Sequence, residues 1–163
     1  MPTGSTDALA PNEAMPWIGS GPIYACNERS AGTLVEALRR LGFDVVELEG
    51  ERIVNHESFT DLFTYAFGFP AASANGWQSL AEVPTERLTR PPGERVAIVW
   101  RRADHSATFC LKCVVEACAF LLGWGRALER SDAVPTRRLD VFLLGQTRDF
   151  AQPPPGWTLE GIA

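Results

Sequence analysis

The stretch DVVELEGERIVNHESFTDLFTYAFGFPAASANGWQSLAE, residues 44–82, decides how the rest of the chain is read. Asp44–Leu48 reads as a strand, followed by Gly50. Between residues 57 and 67, Phe59, Leu62, Phe63, Ala66 and Phe67 recur at i, i+3, i+4, i+7 and i+8, the apolar stripe of an amphipathic helix. Asn55 is placed to cap that helix, Glu57 suits the positive end of its dipole, and Gly68 with Pro70 ends it. A second short helix carrying Trp77 follows.

Upstream, residues 1–21 are rich in Pro, Gly, Ser and Thr and are expected to be flexible, with Trp17 and Ile18 touching the body. Ile23–Cys26 is a candidate strand. Residues 31–41 put Leu34, Leu38 and Leu41 on one side of a helix, with Ser30 as its N-cap and Gly42 as its stop. Downstream, Pro91-Pro92-Gly93 breaks a loop, and the continuous apolar run Val96–Trp100 reads as a strand buried on both faces. A largely buried helix is expected from about Ala107 to Leu122, capped by Asp104 or Ser106 and broken by Gly123 and Gly125. Leu139–Leu144 is the last strand, and residues 148–163, with Pro153-Pro154-Pro155, are expected as a flexible tail. Strands alternating with helices predict an α/β fold: one domain over residues 22–147, with a three- or four-stranded, mainly parallel sheet flanked by helices.

The net charge of −5 is unevenly placed. Asp44, Glu47, Glu49, Glu51, Glu57 and Asp61 share their stretch with one base, Arg52, while the acids and bases elsewhere balance. An acidic surface disfavours nucleic acid and anionic membrane as direct ligands and suits a basic protein partner, provided the acids share a face. Otherwise they are solvated residues of strand and helix ends. The N-terminus has no basic segment followed by an apolar run, so no signal peptide is expected. The most apolar run, Ala117–Gly125, is too short to span a bilayer. A cytoplasmic protein is expected.

Neither histidine, His56 or His105, adjoins a nucleophile motif, and no Gly-rich phosphate loop follows a strand. No enzymatic activity and no cofactor is expected. The four cysteines are expected as reduced thiols, since Cys110, Cys113 and Cys118 crowd one helix and only Cys26 stands apart. Cys110-Leu-Lys-Cys113 is a C-x-x-C, whose spacing brings both sulfurs to one helical face. Redox pairs of this kind ordinarily sit at a helix N-terminus, whereas this one is expected about a turn inside. A zinc site needs four ligands, with only His105 or Cys26 available to join. The plainer reading is that these cysteines are small buried hydrophobes, and no metal site is assigned.

The Phe-rich helix after LEGERIVNHESF, the stop at Gly68-Phe69-Pro70 and the Trp-bearing helix beyond resemble the barstar family of intracellular ribonuclease inhibitors. VAIVWRR (96–102) is similar to the family's middle strand and LDVFLLG (139–145) to its last, so the similarity covers roughly Asp44–Gly145. The resemblance implies a small parallel sheet flanked by helices. It also implies a loop and second helix that plug a basic ribonuclease active site, carboxylates standing in for RNA phosphates, in an electrostatically steered contact. The family pattern there is Tyr-Tyr-Gly-x-Asn-Leu/Trp-Asp-Ala-Leu, followed by a further acid. Here Ala72 and Ser73 replace the aromatics, Ala74 the Gly, and Gly76 the Asn, with Asn75 beside it. Trp77 and Leu80 keep the apolar positions, Gln78 replaces the first acid, and Glu82 keeps the second.

The resemblance thus implies an inhibitor or immunity protein that sterically blocks a cognate toxin, a basic nuclease of the ribonuclease kind. Its contact residues would be Ala72, Ser73, Asn75, Gly76, Trp77, Gln78 and Glu82. The alternative is a barstar-fold scaffold or regulatory binding module with a repurposed surface, which the loss of two aromatics and an acid favours. Trp77 also has a core reading, from its spacing to Leu80, and Glu82 that of a plain surface acid.

Overall fold

Four strands, β1 (Ile23–Asn27), β2 (Asp44–Glu49), β3 (Arg95–Arg101) and β4 (Arg138–Gly145), form one sheet in the order β1-β4-β3-β2. Every neighbouring pair is parallel. The structure, a computed structural model, describes residues 9–70 and 80–162. The α/β class expected from the alternation of elements is the one observed, and the candidate N-terminal strand is a full member of the sheet. The central strands explain their own composition. In β3, Val96, Ile98 and Trp100 face one core while Ala97 and Val99 face the other, and none is more than 1 % exposed.

A four-residue helix α1 (Pro11–Ala14) precedes the sheet, and α2 (Ala31–Arg40) covers one face, packing Leu34 and Leu38 with Tyr24, Phe43 and Phe142. The other face carries α3 (His56–Phe67) and α4 (Ala103–Arg130). The local signals for α3 are all realised. Asn55 Oδ1 accepts the Ser58 N–H at 2.8 Å, and Ser58 Oγ accepts the Asn55 N–H at 3.1 Å, a reciprocal cap. Phe59, Phe63 and Phe67 are buried, and Gly68 ends the helix in the left-handed region at φ 66°.

In α4 the expectations need correction. The helix runs 28 residues, through both Gly123 and Gly125. A Cβ on Gly125 would lie 3.3 Å from Leu139 Cβ, so this glycine lets the helix approach β4 closely. That packing outweighs the helix-interior cost of glycine, about 1 kcal/mol. The break falls instead at Cys110, whose backbone is non-helical (φ −156°, ψ 86°). Nor is the helix buried throughout: Phe109, Leu111 and Val115 are 62 %, 65 % and 60 % exposed. By length and composition α4 is apolar enough to cross a membrane, but Ala117, Leu121 and Leu128 are fully buried in the core it shares with the sheet.

The cysteines also depart from expectation. Cys110 and Cys113 are joined in a disulfide, and only Cys26 and Cys118 are free thiols. The backbone of Cys110 leaves the helical region, and the two Cα atoms lie 5.2 Å apart, within bonding range. Burial pushes the Cys26 thiol up to about 12 and that of Cys118 up to about 11.

The segments expected to be flexible supply core residues. Met15 and Ile18 are buried on the α2 side, and Trp17 meets Trp157 edge-on at 5.6 Å. Along the outer edge of β1, the Ala151 N–H donates to the Ala25 carbonyl (2.9 Å) and the Asn27 N–H to the Ala151 carbonyl (2.8 Å). An edge strand leaves backbone groups unpaired, and this segment satisfies two of them. Ile162, 7 % exposed, joins the same core.

Asp104, in the first turn of α4, ties that helix to the end of β4. Its Oδ2 accepts the Gln146 N–H at 3.0 Å, and its Oδ1 accepts the His105 N–H at 2.9 Å and Arg102 Nε at 3.2 Å. Burial works against the charge, but hydrogen bonds from Gln146, Arg102 and His105 outweigh it and hold this carboxyl below the usual carboxylate range.

Two stability measurements test this architecture. Phe63→Ala should lower the unfolding free energy by about 3–5 kcal/mol in urea. Tyr65→Ala, on the same helix but at a site 72 % exposed, should cost under about 1 kcal/mol. Equal effects would mean that α3 packs by another face. Asp104→Asn should cost about 1–2 kcal/mol at neutral pH. Because the folded-state pKa is depressed, that difference is present above the unfolded value of about 3.9 and is lost as pH falls through the folded value. A gap between wild type and variant that stays constant from about pH 6 to about pH 2 would contradict it.

Candidate partner-binding surface

The stripe that buries three phenylalanines of α3 leaves Glu57, Asp61 and Tyr65, spaced i, i+4 and i+8, exposed along its outer side. The chain then turns at Gly68, where a Cβ would lie 1.8 Å from Thr89 Oγ1, so both the positive φ and the space require glycine. Phe69, 6 % exposed, follows as a core residue, and Leu80, fully buried, is the next described apolar anchor. Residues 88–90 hold the exit of the helix. Leu88 is buried, the Thr89 N–H donates to the Gly68 carbonyl and the Arg90 N–H to the Phe67 carbonyl, both at 3.1 Å.

Of the residues expected to contact a partner, Ala72, Ser73, Asn75, Gly76, Trp77 and Gln78 lie outside the described residues. Glu82 is described and exposed, two residues beyond the Leu80 anchor. An open groove of about 520 Å³ borders the helix exit, lined by Asp61, Thr64, Tyr65, Phe69, Thr89 and Arg90 among others. Two further grooves, of about 500 and 410 Å³, reach Arg52 and then the outer edge of β2, and Tyr65 borders all three. Its ring lies under the Arg90 guanidinium at 5.0 Å. Neither Tyr65 nor Arg90 is among the residues expected from sequence. Tyr65 had a signal, being the one aromatic of α3 that falls off the phenylalanine stripe; Arg90 had none.

The six acids of the 44–61 stretch do not share one open face. Glu47 pairs with Arg101 at 3.7 Å and Glu51 with Arg102 at 3.2 Å. Arg101 also holds Glu28, and Arg102 also holds Asp104 at 3.2 Å. These pairs occupy the carboxyl end of the parallel sheet, the place where open α/β sheets ordinarily take ligands. Asp44, Glu49, Glu57 and Asp61 make no ion pair among the described residues.

The residue brought to the cysteine pair is not one of the two expected to join it, His105 or Cys26. His105 packs beside Phe109 at 5.0 Å between ring centres. His56, the first residue of α3, is the one brought to the C-x-x-C: its ring and the sulfurs of Cys110 and Cys113 place their ligand atoms within 4.8 Å of one another. Cys26 belongs to the core on the opposite face of the sheet and cannot join them. Three such ligands are one short of a closed tetrahedral zinc set, and a disulfide offers no thiolate.

Comparison with family models matches residues 43–135 to the family described as Barstar (barnase inhibitor). Comparison with curated proteins and with solved structures finds no match. The matched residues hold β2, α3, β3 and α4, while β1, α2 and β4 lie outside them. The family is one of inhibitors rather than enzymes. With more than half of the chain matched, and a four-stranded parallel sheet flanked by helices around the matched elements, this chain belongs to the barstar family.

Proposed function

We propose that this chain binds a cognate toxin, a basic nuclease of the ribonuclease class, and blocks it sterically with residues 71–82. Membership in an inhibitor family supports a protein partner. The observation that carries the reading is that Phe69 and Leu80, 6 % and 0 % exposed, are core anchors on either side of Ala72–Gln78, with Glu82 exposed two residues beyond the second. Both anchors belong to the core that α3 and α4 share with the sheet. In this reading Trp77 supplies the aromatic anchor and Glu82 a carboxylate for an Arg, Lys or His of the target. Glu57 and Asp61, exposed on α3, add to the field that steers a basic partner. The interaction takes place in the cytoplasm and needs no cofactor, metal, nucleic acid or membrane. Ala72, Ser73 and Gln78, where the family has two aromatics and an acid, favour a second reading, that of a barstar-fold scaffold or regulatory module.

The test is capture from source-cell lysate by the tagged protein, identification by mass spectrometry and assay of the captured protein for nuclease activity. The double variant Gln78→Lys/Glu82→Lys is run in parallel. The expected result is a small basic nuclease, silenced in the complex, whose Kd rises at least about tenfold in the variant, mainly through slower association at low salt. A nuclease held equally by both proteins would remove residues 78 and 82 from the interface. A partner without nuclease activity would move the assignment to the scaffold.

A further inference from the structure

We propose that Cys110 and Cys113 form an exchangeable disulfide that reacts with thiols outside the chain, Cys110 being the sulfur attacked. The pair stands at a junction between two helical segments, because the backbone of Cys110 leaves the helical region. Cys110 thereby becomes the residue that caps the second segment, and the Cys113 N–H, three residues on, donates to Cys110 Sγ at 3.2 Å. Negative charge on Cys110 Sγ is met by this donor and by the positive end of a helical segment that continues to Arg130. The sequence expectation of a pair buried within one continuous helix does not hold here.

Exposure separates the two cysteines. Cys110 is half-buried, whereas Cys113 is 4 % exposed, so a reagent meets Cys110 first. Phe109 and Leu111, the neighbours of Cys110 in the chain, are themselves exposed. A ring nitrogen of His56 lies within 4.8 Å of both sulfurs. His56 Nε2 is also 3.2 Å from Glu116 Oε2, and Glu116 Oε1 faces Lys112 Nζ at 3.6 Å. This places a proton-carrying group beside the bond that breaks.

The chemistry is thiol–disulfide exchange. A thiolate RS⁻ attacks Cys110 Sγ; the new S–S bond forms as the Cys110–Cys113 bond breaks, and the electron pair leaves on Cys113 Sγ. That sulfur takes up the proton the attacking thiol released, with His56 placed to carry it. A second RS⁻ attacks the R-bearing sulfur, forming RSSR and releasing Cys110 Sγ as a thiolate. Two thiols are oxidised to one disulfide and the chain is reduced to its dithiol; the reverse reaction closes it.

The test uses the full chain with glutathione. Protein equilibrated at varied ratios of reduced to oxidised glutathione is quenched in acid, alkylated and weighed intact. Cys110 and Cys113 should change state together while Cys26 and Cys118 stay reduced. Cys113→Ser should acquire a glutathione adduct at least about tenfold faster than Cys110→Ser. His56→Gln, with its circular dichroism unchanged, should slow opening at least about tenfold, and an unchanged rate overturns the proton role. Four free thiols at every ratio, opening only in denaturant, or equal rates for the two serine variants would overturn the exchange itself. One zinc per reduced chain that shields both thiols from alkylation would overturn it in favour of a metal site. The wild-type titration needs no variant, so the outcome does not depend on how the substitutions fold.

Discussion

The packing of three phenylalanines from α3 against Trp100 of β3 and Trp124 of α4 is the interaction on which the rest of the molecule depends. Phe63 meets Phe67 at 4.9 Å and Trp124 at 5.0 Å between ring centres, and Phe59 meets Trp100 at 5.3 Å. Edge-on and tilted pairs of this kind each add about 0.5–1.5 kcal/mol beyond area burial, so turning α3 about its axis forfeits several at once. Trp100 is held in turn: its Nε1–H donates to Ser106 Oγ at 3.1 Å, and that hydroxyl donates to the Gly50 carbonyl at 2.8 Å. One buried chain of hydrogen bonds thus joins the end of β2, β3 and the first turn of α4. With the inner face of α3 set, the outer line of Glu57, Asp61 and Tyr65 and the point where the chain departs at Gly68 follow.

The same tertiary arrangement redistributes the charge. Placing β2 beside β3 brings Arg101 and Arg102 to Glu47 and Glu51, so part of the acidity is spent on internal pairs at the carboxyl end of the sheet. What faces outward on α3 is a shorter acidic line, with Arg52 and Arg90 at its borders. A basic partner would therefore meet a mixed surface in which the position of individual carboxylates matters more than the net charge.

Helix α3 was legible from Asn55 to Gly68 because its cap, stripe and left-handed stop are all local, each read within a few residues. Helix α4 was less so. Glycine near a helix end is a sound stop signal in isolation, but at Gly125 the contact with Leu139, fourteen positions away in the chain, decides otherwise. The resemblance that points to the family was carried by the aromatic helix and the Gly68-Phe69-Pro70 stop, elements whose packing the fold requires. Arg90 was invisible as a surface residue because its place over Tyr65, twenty-five residues earlier, exists only once β3 and α3 are packed.

By itself the sequence determined the identity of the main elements and the apolar character of the central strands, because periodicity and caps are properties of short windows. The family entered as a resemblance, which the match over residues 43–135 bears out. Only the tertiary structure decided that β1 pairs with β4 and that Ala151 pairs with the outer edge of β1. It alone brought His56 to a cysteine pair more than fifty residues away and opened the helix at Cys110. The strand pairing, the tail contact and the approach of His56 rest on contacts between segments distant in the chain. Their free energy comes from packing and hydrogen bonds that no single window contains.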